Sequence, residues 1–485
     1  MKSKFMLRSG AAIGVLIAAV SAAPAALADS TTDVGPATVT LGGFLAMETL
    51  YRSRNEGSDI GSTFSGIPFP STSTAHTSEL RFSARQSRLS LLVQGNADSD
   101  THLAFYGEFD FMAGPGSANS NESNSYSPRI RNVYGTVDWD AEGVEFLAGQ
   151  NWSLLTLNSH GITPRNEVPP ATIDAQYSVG FAWARQPQLR IVKNWDHQIW
   201  LALSVENPQT TFAGGPGGPA AIPGITVVNT ITGASEFDKA VNTLSLNHVP
   251  DVIGKAAWEP MIGDSQPLHM ELFGIYRSFY SRVLVASPNL LGLPAGNGNI
   301  NVSGGGFGGS IAYSVLPKVL DLQISAMHGS GIGRYGSGQL PDVTFKANGE
   351  LAPIQETMVL FGATWHTTPL LDLYTYLGQE SEQPKYFNIT NTFVVPNATI
   401  HGGLGNPAVV TTGCAIEGGA CSVNLQKESQ VNGGFWWRIY QGRFGSFRFG
   451  AQYSYTKLKS FAGVGGVHAP TDDSMFFTSI RYYPF

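Results

Sequence analysis

The chain has 485 residues, of which 56 are glycine and only 13% are charged. Its formal net charge of −7 argues against a nucleic-acid partner, because nucleic-acid-binding domains are usually basic. The length would suggest about three ordinary domains. No linker or change of composition divides the chain, however, so one large domain is favoured.

A secretory signal peptide is predicted at residues 1–28. Three basic residues lie within the first eight positions, residues 11–20 are apolar, and residues 26–28 read A-L-A, a typical cleavage signal. The apolar run is too short for a transmembrane helix. We therefore expect cleavage after Ala28, with a retained anchor as the alternative. Removal takes away three basic and no acidic residues, which leaves 26 basic against 36 acidic residues, a charge of −10, in residues 29–485.

Apolar and polar side chains alternate along the rest of the chain, which predicts β-strands. In one segment, for example, Leu103, Phe105 and Phe109 fall on one side, and Tyr106 and Glu108 fall on the other. About 16 such segments can be counted, most of them roughly 10–14 residues long.

The connections between these segments alternate in length. Seven short connections are predicted at 96–100, 138–143, 194–196, 260–267, 316–319, 367–369 and 441–446. Eight long ones, rich in Gly, Pro, Ser and Asn, are predicted at 53–78, 113–127, 154–178, 206–237, 283–300, 329–356, 381–428 and 459–474. This is the layout of an outer-membrane barrel, with short periplasmic turns and longer extracellular loops. The sequence therefore predicts an all-β fold, a transmembrane antiparallel β-barrel of about 16 strands.

The barrel prediction also assigns the two faces of each strand. In hydrocarbon every backbone polar group needs an internal partner, so the sheet must close, with apolar side chains toward lipid and polar ones toward a water-filled lumen. About ten mature residues precede the first strand, too few for a plug domain, so we expect a lumen that is open apart from loops. The terminal Phe485, after Tyr482 and Tyr483, is similar to the C-terminal signal of such barrels. Aromatic rings near segment ends are expected to form interfacial girdles, and they are Tyr51, Trp139, Trp183, Trp258, Tyr276, Trp365, Tyr453 and Tyr483.

Basic residues on three strands of the N-terminal half are the main candidate for pore selectivity. An arginine in the middle of the lipid face would cost roughly 2–4 kcal/mol, so these side chains should face the lumen or its rims. In the lumen they would attract anions, and two carboxylates on the same face would reduce that preference. Alternatively, the basic residues are structural and hold a loop by ion pairs. The alternation changes phase between Arg85 and Arg88, which predicts a β-bulge that lets both reach the lumen. The predicted pore-lining residues are Arg81, Arg85, Arg88, Arg129, Arg131, Arg185, Arg190, Glu108 and Asp110.

The third long connection, residues 154–178, is a candidate constriction loop. It offers His160, Arg165, Glu167 and Asp174. Its acids would face the wall arginines and create a transverse field across the pore. The alternative is an ordinary surface loop.

Two further motifs have structural interpretations. Cys414 and Cys421, the only cysteines, lie in the longest loop of an exported chain, which predicts a disulfide rather than a metal site. Residues 331–336 match the dinucleotide fingerprint GxGxxG, but no helical pattern follows, so we interpret them as a flexible strand-to-loop transition. The nearest candidate for a catalytic site is the tripeptide His328-Gly329-Ser330, and adjacency in sequence does not make a catalytic triad. We therefore expect neither a cofactor nor a catalytic site.

Four segments resemble the DcaP-like trimeric porins of the outer membrane. They are RFSARQSRLSL (81–91), FLAGQNWSLL (146–155), ARQPQLRIV (184–192) and GSGIGRYG (329–336). The resemblance implies a barrel, a homotrimer and passive diffusion of small solutes, with small carboxylates as the first expectation. One departure is that DcaP-like porins carry a periplasmic helical segment before the barrel, for which the sequence here leaves no room.

The function expected from the sequence is thus an anion-preferring porin in the bacterial outer membrane, in contact with lipid and small solutes. A general, weakly selective porin and a non-transporting surface or adhesion barrel are the alternatives. A hydrolase with a site at the barrel rim is the least favoured.

Overall fold

The computed structural model describes residues 31–113, 124–213, 224–233, 243–262, 266–287, 289, 291–390 and 399–484. The predicted signal peptide at residues 1–28, its cleavage site and Phe485 lie outside the described residues.

Sixteen strands of the described chain form one closed antiparallel barrel, which confirms the predicted fold class. The first strand pairs with the last, from Leu45 opposite Tyr482 to Arg52 opposite Met475, and this seam closes the sheet. The barrel strands are β1 (Ala37–Arg52), β2 (Glu79–Ser83 and Arg88–Asn96), β3 (Thr101–Asp110), β4 (Arg129–Trp139), β5 (Val144–Trp152), β6 (Arg185–Trp195), β7 (Ile199–Glu206), β8 (Asp251–Trp258), β9 (Gln266–Val285), β10 (Gly296–Leu316), β11 (Leu320–Ser330), β12 (Gln355–Thr368), β13 (Leu371–Glu382), β14 (Leu425–Gly442), β15 (Gly445–Ser460) and β16 (Pro470–Tyr483).

Short strands and 3₁₀ turns lie outside the sixteen barrel strands. Thr31–Val34 pairs with the start of β1, Ile225–Val228 extends the sheet at β9, and Met261–Ile262 pairs with the beginning of β9. Three hairpins join Thr230–Thr232 to Thr243–Ser245, Val343–Phe345 to Leu351–Pro353, and Lys385–Thr390 to Thr399–Leu404. The 3₁₀ turns are Phe64–Gly66, Ser73–His76, Gly333–Tyr335, Thr412–Ala415 and Val464–Gly466.

Among the described residues, no helix has the length and apolar character that crossing a membrane requires.

The predicted alternation separates the two faces of the wall. On β7, Leu201 and Leu203 are about half exposed on the outside, whereas Trp200, Ala202 and Ser204 are buried inside. Large apolar side chains are exposed in the same way around the barrel, as on β1, β3 and β6. An apolar outer face on a closed sheet suits hydrocarbon rather than water.

The predicted β-bulge lies in β2. Glu48 of β1 is opposite Ser83, whereas Phe44 is opposite Arg88, so β2 holds one residue more than β1 between these pairs. The extra residue lies within residues 84–87, between the two parts of β2. The bulge is therefore confirmed, but it aims the side chains differently from the prediction.

Gln86, not Arg85, reaches the lumen with Arg88. Gln86 and Arg88 are two residues apart and border the same interior cavity. Arg85 lies in a separate pocket with Leu45 and Phe82, whose side chains are exposed on the outer face. The prediction that Arg85 lines the lumen is thus corrected, because the extra residue puts its side chain out of phase with that of Arg88.

The cysteine prediction is confirmed. Cys414 and Cys421 form a disulfide, with 4.6 Å between their Cα atoms, in the long loop between β13 and β14. The bond closes a loop of so few residues that chain entropy gives at most roughly 2.5 kcal/mol of stabilisation.

Candidate functional site: the lumen and its inward-folded loops

The third long loop, residues 153–184 between β5 and β6, crosses the interior of the barrel. On one side its backbone amides donate to wall residues of β13–β15: Gly180 N to Glu380 Oε1 at 2.7 Å, and Val179 N to Gln430 Oε1 at 3.0 Å. Ile173 N likewise donates to Gln452 Oε1 at 2.5 Å. The predicted loop at 154–178 is therefore inside the barrel.

The same loop is bonded to the opposite part of the wall. Leu154 N donates to Glu206 of β7 at 2.8 Å, and Asn158 N donates to Glu271 of β9 at 3.0 Å. Lys255 of β8 is buried and donates to Thr156 O at 2.7 Å. Because a buried backbone group must find a partner, these wall side chains hold the loop across the lumen.

Arg131 is the centre of the predicted basic wall. Its Nε donates to Glu108 Oε1 at 2.5 Å, and its Nη1 donates to Asp110 Oδ2 at 3.1 Å. Its Nη2 donates to the hydroxyl of Tyr177 in the third loop at 3.0 Å. Arg129 donates two hydrogen bonds to Asp110, from Nε to Oδ1 at 3.0 Å and from Nη2 to Oδ2 at 2.7 Å.

Three guanidinium groups surround Tyr177. Burial opposes ionisation of its hydroxyl, but the positive charges of Arg131, Arg88 and Arg185 outweigh burial and lower the pKa of Tyr177 to about 8. Arg88 pairs with Glu108 at 3.6 Å. The Arg185 guanidinium lies 4.8 Å from the ring of Trp152, and its Nη1 has no hydrogen-bond partner among the described residues.

The remaining predicted arginines occupy different places. Arg190 is buried and donates to Gln188 Oε1 at 3.1 Å and to Trp152 O at 2.7 Å. Arg81 lies nearer the long-loop end of β2, pairs with Glu79 at 3.0 Å and keeps 42% of its side chain exposed. Arg85 pairs with Asp59 at 3.2 Å in the outer pocket described above.

The charged residues of the third loop are spread along it. His160 contacts Glu259 at 2.5 Å and is half exposed. Arg165 donates to the hydroxyl of Tyr134 at 3.3 Å. Burial raises the pKa of both Glu167 and Asp174; Asn151 donates to Glu167 at 3.1 Å.

Three cavities lie side by side around the third loop. Two have volumes of about 550 Å³ and share Pro169, Ala171 and Thr364 in their walls. They reach Asp372 and Lys318 beside the short turns, so they lie on the short-turn side of the loop. The third has about 180 Å³ and shares five lining residues with the first, namely Arg88, Glu108, Arg131, Pro169 and Tyr177. Glu167 borders the third cavity and Asp174 the first.

The C-terminal strands supply two lumen arginines that the sequence interpretation missed. Arg448 of β15 and Arg481 of β16 lie opposite each other and line the first cavity. Arg481 pairs with Glu48 of β1 at 2.8 Å across the seam. Both arginines alternate with apolar neighbours, so the pattern that located the N-terminal arginines could have located them.

The sixth long loop, residues 331–354 between β11 and β12, also folds inward. Residues 331–336 follow β11 directly and begin the loop, as the strand-to-loop interpretation expects. Ile332 and Tyr335 are fully buried, however, so the segment is packed in the interior rather than exposed. Arg277 of β9 pairs with Asp251 at 3.1 Å and with Asp342 of the loop at 2.5 Å. This buried pairing holds the loop to the wall.

Of the comparisons with known proteins, the one with solved structures finds the same fold. No protein-family model matches the chain, and no curated protein matches it in sequence. Among solved structures, the outer-membrane channel DcaP of Acinetobacter baumannii matches at 17% identity, with a TM-score of 0.62, over 94% of this chain and 100% of that one.

Two further barrels match over most of their length. An anion-selective porin from Comamonas acidovorans has 13% identity and a TM-score of 0.47 over 92% of this chain and 99% of its own. Pseudomonas putida OprB has 9% identity and a TM-score of 0.47 over 91% and 94%. These scores are low, so the assignment of the fold rests on the DcaP match. The predicted resemblance is confirmed at the level of the fold: this chain is a sixteen-stranded barrel with the fold of the DcaP channel.

Proposed function

We propose that this protein is a passive porin of the bacterial outer membrane that prefers small anions such as carboxylates. The apolar outer face and closed sheet support membrane insertion. The cavities around an inward-folded third loop support diffusion past a constriction. We further propose export with cleavage after Ala28, and assembly as a homotrimer, which rests on the resemblance to DcaP-like porins.

The observation that carries the anion preference is the charge around Tyr177. Arg88, Arg129, Arg131 and Arg185 contribute four guanidinium groups, whereas Glu108 and Asp110 contribute two carboxylates. The group therefore has an excess of two positive charges beside the third loop. Fixed charge in a narrow, partly water-excluded passage biases which ions enter it.

A weakly selective general porin is the second candidate. The first cavity is lined by His366 and by as many carboxylates as guanidinium groups: Arg88, Arg131, Arg448 and Arg481 against Glu108, Asp110, Asp174 and Asp372. A solute in that cavity would meet a nearly balanced wall. The two candidates differ in whether the passage at Tyr177 or the wider cavity controls selectivity.

The test is the reversal potential of the purified protein in a planar bilayer under a KCl gradient. We expect the wild type to favour chloride. Arg88→Gln should reduce the chloride-to-potassium permeability ratio by roughly two- to fivefold, since a unit charge at 4 Å in water is worth about 1 kcal/mol. Arg282→Gln is the matched control, because Arg282 lies near the long-loop end of β9, away from the cavities around the third loop.

Each outcome decides between the candidates. A preference for potassium that Arg88→Gln leaves unchanged would rule out the anion preference. A ratio near one in both proteins would favour the general porin, and the absence of any conductance would contradict a porin.

A further inference from the structure

Four glutamates form one patch on the inner face of β12–β14, away from the basic wall. Glu356 of β12 lies directly opposite Glu382 of β13, and Glu380 of β13 lies directly opposite Glu428 of β14. Opposite residues of antiparallel strands have Cβ atoms about 4.5–5.5 Å apart. Like charges at that distance repel, so the arrangement calls for a compensating partner.

These side chains are buried, and three of them lack a hydrogen-bond partner in the described part of the chain. Each of the four is at most 1% exposed. Within the described ranges, neither carboxylate oxygen of Glu356, Glu382 or Glu428 has a hydrogen-bond donor. A buried carboxylate without a donor or counter-charge is strongly unfavourable.

Several other buried carboxylates of the same barrel pair with a protein cation. Glu79 pairs with Arg52 at 2.9 Å, and Glu271 pairs with Lys255 at 2.9 Å. The ion pairs seen among the described residues include none that joins a Lys, Arg or His to the four-glutamate patch. Over those residues, the four glutamates therefore have no protein cation as an ion-pair partner.

Glu380 connects this patch to both inward-folded loops. Its Oε1 accepts hydrogen bonds from Gly180 N of the third loop at 2.7 Å and from Gly338 N of the sixth loop at 3.0 Å. A Cβ atom added at Gly338 would overlap Oε2 of Glu380 and Oε2 of Glu428. Gly338 therefore lies beside both of these oxygens, which approach each other where the loops meet the wall.

We infer that the four-glutamate patch binds a hydrated divalent cation, Ca²⁺ or Mg²⁺, which fastens the third and sixth loops to β13. Carboxylate oxygens are the ligands that these hard cations prefer. Among the described residues no three acidic, His or Cys side chains converge closely enough to hold a metal directly. Glu380 and Glu428 would thus bind the ion, and its water molecules would donate to the unpartnered oxygens of Glu356 and Glu382, as is usual for incompletely dehydrated ions.

The test is equilibrium dialysis of the purified full-length barrel, stripped of divalent ions, against radioactive calcium, with MgCl₂ as the competitor. We expect one saturable site per chain, with a Kd on the order of 0.1–1 mM, as in extracellular calcium modules. Glu380→Gln and Glu428→Gln should each weaken binding at least about tenfold, the lower limit even for loss of an outer-shell partner. Competition by magnesium at similar concentration would assign the site to both ions, and its absence would assign it to calcium.

The matched control is Glu350→Gln, a glutamate of the sixth loop outside the patch that pairs with Lys346 at 2.8 Å. It should bind calcium as the wild type does. Ions held by co-purified lipid contribute equally to every variant, so they cannot explain a loss of binding seen only in the patch variants. No saturable binding by the wild type would overturn the inference, and so would unchanged binding by Glu380→Gln and Glu428→Gln. If either variant fails to fold, Glu382→Gln provides the same comparison. None of these readouts depends on conductance, so the inference can fail independently of the porin proposal.

Discussion

Paired charges inside the lumen show how single residues serve both stability and selectivity. Arg131 neutralises Glu108 and Asp110 and still donates to Tyr177, so removal of its guanidinium would leave two carboxylates with less compensation. Breaking a buried pair in this way typically costs about 3–5 kcal/mol. A structural role and a selective role for the wall arginines are therefore compatible at this position.

The hydroxyl of Tyr177 should make ion selectivity depend on pH. Its pKa is lowered to about 8 because the nearby guanidinium groups outweigh its burial. Below that pH Tyr177 is neutral; above it, the phenolate removes one of the two excess positive charges. We expect the chloride preference to fall between pH 7 and about 9, measured as reversal potential.

Tyr177→Phe should abolish this pH dependence, and Tyr386→Phe, at an exposed tyrosine of a hairpin, should preserve it. Because the folded pKa is depressed, the stabilising contribution of the phenolate is fully present above the unfolded value of about 10 and is lost as pH falls through about 8. A chloride preference that falls equally in wild type and Tyr177→Phe would contradict the assignment.

The position of Arg85 shows the limit of residue-level prediction. A phase change in the alternation identified the bulge, since Phe82 and Leu89 cannot share a face in an unbroken strand. The pattern could not say where within residues 84–87 the extra residue lies, because that depends on contacts of Gln86 with Ile173 and Arg481, far away in sequence. A shift of one position exchanges Arg85 for Gln86 in the lumen.

Among the elements, the third loop depends on close backbone approach to β13. A Cβ atom at Gly378 would overlap the carbonyl oxygen of Val179, so the loop backbone lies directly against this strand. Only a residue without a side chain allows this contact.

Gly378→Val should displace the loop near residues 178–180. We expect a loss of roughly 1–3 kcal/mol of stability, as for other overpacked sites, and a higher, noisier single-channel conductance. Gly433→Ala on the neighbouring β14 is the control, since none of the described atoms lies within 4 Å of the added Cβ. Conductance of Gly378→Val equal to that of the wild type would show that this contact does not position the loop.

Strands and the third loop could be predicted from sequence, whereas the sixth loop could not. Alternation is a local property, and each strand carries its own copy of it. The inward fold of the sixth loop depends on Arg277 and Asp251, which lie about 65–90 residues before Asp342, and no local pattern records that pairing. The four-glutamate patch was missed for the same reason, since it arises only when three strands pair in register.

At the scale of the whole molecule, the seam between β1 and β16 closes the sheet and is also crossed by an ion pair. Arg481 reaches Glu48 across it at 2.8 Å, and the Arg481 guanidinium lies 4.6 Å from the ring of Trp436. Loss of Arg481 would leave Glu48, which is fully buried, without this cation.

Arg481→Gln should lower the temperature at which unboiled protein shifts to the migration of boiled protein on a denaturing gel. The expected loss is about 3–5 kcal/mol. Arg443→Gln, in the short turn between β14 and β15, should behave as the wild type because Arg443 is exposed. If the wild type migrates identically with and without boiling, the folded barrel itself is contradicted.

The third loop also constrains the order in which the molecule can assemble. Its amides at Val179 and Ile173 bond to Gln430 and Gln452, which follow them in the chain by 251 and 279 residues. Bringing together groups separated by that length costs roughly 5 kcal/mol of chain entropy. These hydrogen bonds can form only after β14 and β15 have been added to the sheet, because Gln430 and Gln452 lie on those strands. The third loop therefore takes its final position late in assembly, when the last strands of the barrel supply the side chains that hold it.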